Sequence, residues 1–157
     1  MTDLYHYYYD QYTKDIRHWI QHFEKQPRPH IVGIYRGSLP IATHLSNVLK
    51  CPMSIIRYQG RDSWHRDGGD IKPEWVINNM GFTATWKTPG ETTIVVDDIY
   101  DTGRTMRAIQ QMDEFKHHPT VIYQCLFGSK NDDGVGFLNE RISRWIVFPW
   151  ERSTGAM

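Results

Sequence analysis

The run Thr92-Thr93-Ile94-Val95-Val96-Asp97-Asp98-Ile99-Tyr100-Asp101-Thr102-Gly103-Arg104-Thr105 decides the fold. Thr92 to Val96 are all β-branched, which favours a strand. An unbroken run of this kind, with no polar alternation, suits a strand covered on both faces, as in a parallel sheet. Three carboxylates, two threonines and a glycine follow between Asp97 and Thr105, and a helix is expected over Thr105 to Phe115. The unit is therefore strand, polar loop, helix. In open α/β sheets ligands bind beyond the carboxyl ends of strands, where these polar residues fall.

Working outward, the same alternation recurs on both sides. Ile16, Trp19, Ile20 and Phe23 recur at spacings of three and four, predicting an amphipathic helix over Tyr8 to Glu24 that Pro27 and Pro29 close. His30 to Tyr35 reads as a buried strand, Arg36-Gly37-Ser38 as a turn, and Pro40 as the first turn of a helix reaching Leu49. Met53 to Tyr58 and Thr120 to Phe127 are further strands, Lys130 to Gly134 is a turn, and Arg144 to Phe148 is a last apolar segment. Residues 59–91 are polar and broken by glycines, so a functional loop is expected there, with a hairpin over Trp75-Val76-Ile77 and Phe82 to Trp86. Strand and helix alternation from 30 to 127 predicts an α/β fold, a mainly parallel sheet with helices on both faces.

The chemistry of the central loop follows from its residue types. Gly103 permits positive φ, so several N–H groups can point at one anion. Thr102 and Thr105 add hydroxyl donors, and a helix opening near Arg104 offers its positive end to a phosphate. Asp97 and Asp98 suit ribose hydroxyls and Mg2+, which takes oxygen ligands and keeps water. Asp101 is left near the reacting end. The implied ligand carries a phosphate, a diol and a metal-bridged pyrophosphate. A helix cap explains one acidic residue at such a turn, but not an apolar strand entering Asp-Asp-x-x-Asp-Thr-Gly-x-Thr.

Ile94 to Thr105 resembles the phosphoribosyl-pyrophosphate loop of the type I phosphoribosyltransferases. The resemblance implies that family's fold: a twisted, mainly parallel sheet flanked by helices, with a mobile lid and a small C-terminal hood. Here that is one domain over 1–157, with the lid at about 59–91 and the hood at about 128–151. It implies phosphoribosyl pyrophosphate as donor, bound by Asp97, Asp98, Asp101, Thr102, Gly103, Arg104 and Thr105, with Asp97 and Asp98 holding Mg2+.

Two further segments resemble the xanthine-guanine and hypoxanthine enzymes of that family. Ile31 to Pro40 is similar to their first loop, where an Arg-Gly backbone, often through a non-proline cis bond, contacts pyrophosphate; Arg36 and Gly37 match, while Ser38 replaces a second glycine. Arg144-Trp145-Ile146-Val147-Phe148-Pro149-Trp150-Glu151 is similar to their tail, where the first Trp stacks on the purine and the next carbonyl accepts from the 2-position group. Trp145 and Ile146 match, and Lys130 resembles the lysine that donates to the 6-oxo group. The resemblance implies a purine phosphoribosyltransferase acting on guanine, hypoxanthine or xanthine. Asp101 would serve as the catalytic group at purine N7; separately, Arg61, Arg66 and Lys72 of the lid are candidate contacts to pyrophosphate, with none singled out.

Composition narrows the classes. With 18 basic and 18 acidic residues the chain has no global field favouring nucleic acid or an anionic membrane. No apolar run approaches the roughly 20 residues of a bilayer span, and Met1 to Tyr5 lacks a signal-peptide start, so a cytoplasmic protein is expected. Cys51 and Cys125 have no metal-ligand spacing and are expected reduced. The tyrosines between Tyr5 and Tyr12 are expected to pack the first helix, and the family implies a homodimer or homotetramer. A regulator that binds the donor without catalysis, or an enzyme for a pyrimidine base, is the alternative.

Overall fold

A computed structural model describes residues 3–58, 72–79, 92–118 and 120–151. In chain order the elements are β1 (Leu4–His6), α1 (Tyr9–Phe23), β2 (Pro29–Tyr35), α2 (Leu39–Leu49), β3 (Met53–Arg57), β4 (Glu74–Ile77), β5 (Thr92–Ile99), α3 (Arg104–Gln110), α4 (Asp113–Lys116), β6 (Val121–Gly128), β7 (Val135–Glu140) and β8 (Trp145–Val147), with a 3-10 turn at Pro149–Glu151. Six strands form one sheet in the order β4-β3-β2-β5-β6-β7, parallel throughout except for β4 at the edge. The expected α/β architecture holds, with β5 at its centre between β2 and β6.

Strand periodicity sorts the core into two layers. Ile31, Ile94, Val96 and Leu126 face α1 and α2, while Val32, Val95 and Cys125 face α3 and α4. From α1, Tyr12, Ile16, Trp19 and Phe23 are buried, each worth about 1.5–3 kcal/mol of apolar burial. Gly33 lets α2 approach β2: a methyl there would lie 2.6 Å from the Ala42 methyl.

Four differences from the sequence expectation have physical causes. The helix expected over Thr105 to Phe115 breaks at Met112, whose backbone is extended. On a continuous helix Phe115 would lie about 120° away from Ile109; the break returns both to one buried cluster. Second, β7 runs parallel to β6 after the short connection 129–134, far below the roughly dozen residues of an ordinary crossover. The Asn131 amide ties that connection, donating to the Ser129 and Val135 carbonyls and accepting from the Asp133 and Val135 N–H groups. Third, β1 pairs in parallel with β8, setting Leu4 opposite Trp145 and Tyr5 opposite Ile146. Fourth, β4 forms the hairpin partner of β3; the Phe82 to Trp86 half expected for it lies outside the described residues.

The tyrosines do more than pack one helix. Tyr7 is buried, its N–H donates to the Val147 carbonyl, and its hydroxyl donates to Asp15 at 2.5 Å. Its ring meets Phe127 and Phe148 edge-on, joining the N-terminus to β6 and the C-terminal segment. Cys51 and Cys125 are both free thiols. Among the described residues no helix is long and apolar enough to cross a membrane.

Candidate active site

The carboxyl ends of β2 and β5 meet the C-terminal segment at one edge of the sheet. The alternation that sorts the core also separates the two acidic residues ending β5. Asp97 shares the Val95 face and lines a small cavity of about 60 Å³ with Ile99 to Met106. Asp98 shares the Val96 face and lines a larger cavity of about 300 Å³ with Ile99, Asp101, Arg141, Arg144, Trp145 and Ile146 among others. Asp97 and Asp98, expected to act as a pair, thus address adjoining spaces.

Burial and the neighbouring Asp98 charge hold the Asp97 carboxyl well above the usual carboxylate range, and burial raises Asp98. Such carboxylates are sites where a divalent cation and hydroxyl donors would stabilise the charged form. Among the described residues no cluster of three or more His, Cys, Asp or Glu could hold a metal alone. Two hard oxygen donors nevertheless fit Mg2+, which binds through one or two carboxylates and takes its remaining ligands from water and substrate phosphates.

The loop itself is braced. Gly103 has φ 84°, and a methyl there would lie 2.5 Å from the Tyr100 hydroxyl oxygen, so only glycine fits. Tyr100 Oη donates to Asp133 Oδ2; Arg107 donates to the same oxygen at 3.0 Å and to the Thr102 carbonyl at 2.9 Å. The hydrogen bonds from Tyr100 and Arg107 hold the Asp133 carboxyl below its usual range. Gln110 adds a bond to the Asp133 carbonyl at 2.8 Å. None of Tyr100, Arg107 and Asp133 stood out in sequence, because their partnership crosses from the loop after β5 to the loop after β6.

The first loop reaches the same edge. The Tyr35–Arg36 peptide is cis, and Gly37 abuts Asp98: a methyl on Gly37 would lie 2.5 Å from Asp98 Oδ2. Ser38 is buried, its hydroxyl donating to the Ile34 carbonyl at 2.7 Å and accepting from the Ile34 N–H at 2.6 Å. The serine that replaces a glycine in the family pattern therefore closes this loop onto β2. Arg36 is exposed.

In the C-terminal segment expected to form a hood, Ile146 is buried and Trp145 is 66 % exposed at the cavity. Arg141 Nη1 pairs with Asp101 Oδ1 at 2.5 Å across that cavity. Lys130 is not brought there: it is exposed on the loop after β6 and is absent from the cavity lining. Among the described residues the cation paired with Asp101 is Arg141, which sequence reasoning passed over because it stands outside any motif. Of the lid cations, Lys72 is exposed, while Arg61 and Arg66 lie outside the described residues.

Residues 8–151 match the family pattern described as the phosphoribosyl transferase domain. The chain belongs to that family. Among curated phosphoribosyltransferases it is similar to the xanthine-guanine phosphoribosyltransferase of Chromohalobacter salexigens, 28 % identical over 152 residues, or 91 % of this chain and 81 % of that one. It is also similar to the enzyme of the same name from Gluconobacter oxydans, 25 % identical over 130 residues, or 77 % of this chain and 67 % of the relative. In fold it matches the purine phosphoribosyltransferase of Pyrococcus horikoshii with a TM-score of 0.70 at 23 % identity, covering 99 % and 98 % of the two chains. This phosphoribosyltransferase therefore has its family's fold.

Proposed function

We propose that this phosphoribosyltransferase transfers the 5-phosphoribosyl group of phosphoribosyl pyrophosphate to a 6-oxopurine, guanine ahead of hypoxanthine or xanthine. The products are the nucleoside 5′-monophosphate and pyrophosphate. One observation carries the reading: Asp98 and Asp101 of the donor loop share a cavity with Trp145 and Ile146 of the hood. The xanthine-guanine relatives support the acceptor class. In this reading Thr102 to Thr105 hold the 5′-phosphate, and Asp97 and Asp98 hold the ribose diol and Mg2+. Arg36 and Gly37 meet pyrophosphate, the Trp145 ring stacks on the purine, and the Ile146 carbonyl accepts from the 2-position. Bound Mg2+ supplies neutralisation of the pyrophosphate charge.

Purine N9 attacks C1 of the ribose, the C1–oxygen bond to pyrophosphate breaks, and the N7 proton passes to the Asp101 carboxylate. Positive charge gathers on the ribose ring in that step, as in other glycosyl transfers. Water competes as a nucleophile, so the single domain would close its lid over about 59–91 against the hood over about 128–151. A homodimer or homotetramer in the cytoplasm completes the proposal. Pyrophosphate release is to be measured with purine, pyrimidine and nicotinate acceptors in the presence of Mg2+. Guanine should turn over fastest; donor binding with no turnover of any base would identify a regulator instead.

A further inference from the structure

Two cations line the cavity between donor loop and hood, and they are differently committed. Arg144 lies 3.8 Å from Asp3 and over the Tyr5 ring at 5.2 Å, so it braces β1. Arg141 faces the other way. Its backbone N–H donates to the Gly128 carbonyl at 2.6 Å, which fixes the residue above the end of β6, and its side chain reaches Asp101 Oδ1. A guanidinium is planar and carries five N–H donors, so one bond to a carboxylate leaves several to spend.

N7 and O6 lie side by side on one edge of a 6-oxopurine. A carboxylate placed at N7 therefore brings any donor tied to it within reach of O6. We propose that Arg141 is a specificity-determining residue that donates to the purine O6 while positioning Asp101 at N7. This rests on the purine reading above, and gives Arg141 the part that the sequence assigned to Lys130. Adenine presents an amino donor at the same place, so a guanidinium there would face donor with donor and reject it.

The test pairs substrates with variants. Guanine and 2-aminopurine differ at the 6-position, where only guanine carries the oxo group. Wild type should favour guanine strongly by kcat/KM. Arg141→Ala should raise the guanine KM by about 10- to 100-fold, the scale of a lost charged hydrogen bond. For 2-aminopurine it should leave KM nearly unchanged and lower only kcat, through the less well positioned Asp101, so that the preference collapses, and Arg141→Lys should restore part of it. Donor binding, followed by calorimetry, should persist in both variants and confirm that they are folded. An equal loss on the two bases would make Arg141 merely structural and overturn the proposal. So would a collapse of the preference in Lys130→Ala with none in Arg141→Ala. Wild type that turns over no purine would sink the purine reading and this proposal together, an outcome distinct from either variant result.

Discussion

The proposed donor loop and the proposed hood reach the same cavity by opposite constructions. The loop takes its chemistry from Asp97 to Thr105, one continuous run between β5 and α3, and its braces Tyr100 and Arg107 belong to or adjoin that run. The hood gathers Arg141 from the end of β7 and Trp145 and Ile146 from β8, held by β1 from the far end of the sequence. A contiguous site keeps its geometry through local backbone, whereas a gathered one depends on every strand that props it. Substitutions in the loop should therefore strike donor binding or the chemical step, and those at Trp145 and Ile146 the purine alone.

Asp101→Asn should show the largest effect, because it joins the two regions. Turnover is expected to fall by about 100- to 10,000-fold, the range for a lost acid–base group, with donor affinity nearly unchanged. Rapid-quench kinetics alongside donor titration would separate the two; a parallel loss of both would place Asp101 in binding instead. Gly103→Ala forces a side chain into the positive-φ position beside Tyr100, and should weaken donor binding by about 10- to 100-fold, equivalent to about 1–3 kcal/mol of strain. Calorimetric titration with the donor reads this, and an unchanged affinity would mean the loop yields more easily than its braces imply.

Trp145→Ala should raise the purine KM by about 3- to 10-fold through lost stacking, and leave the donor KM alone. Movement of both constants would dissolve the division between loop and hood. Asp133→Asn should be the smallest, lowering the apo melting temperature by about 1–3 °C at neutral pH, the scale of a partly exposed ion pair. The sign of its pH dependence is fixed. Asp133 has a folded pKa below its unfolded one, so its contribution is present above the ordinary carboxylate range and is lost as pH falls through the depressed value. Melting curves of wild type and variant should converge in acid; a gap that persists there would separate the effect from charge.

The same contrast explains what was legible in the sequence. β5, the loop and the start of α3 could be read from adjacent residues, since strand propensity, turn chemistry and helix onset act over a few positions. Trp145 and Ile146 were legible through a family likeness, but β1 beneath them was not: Leu4-Tyr5-His6 is too short to declare itself, and its partner is β8. β7 hid for a different reason. Gly136 interrupts its apolar pattern where the Gln124 side chain passes close by. Arg141 was not singled out because the reading followed family likeness and spacing from a strand, and neither reveals which side chain reaches Asp101. Most of the expected lid lies outside the described residues, and β4 is its described element.

The pairing of β1 with β8 also orders events in time. Leu4 and Trp145 must find one another across nearly the whole sequence, and closing such a loop in an open chain costs about 4 kcal/mol of entropy. The β6–β7 connection closes for less than half of that by the same relation. By this count the β6–β7 pairing would form before the β1–β8 seam.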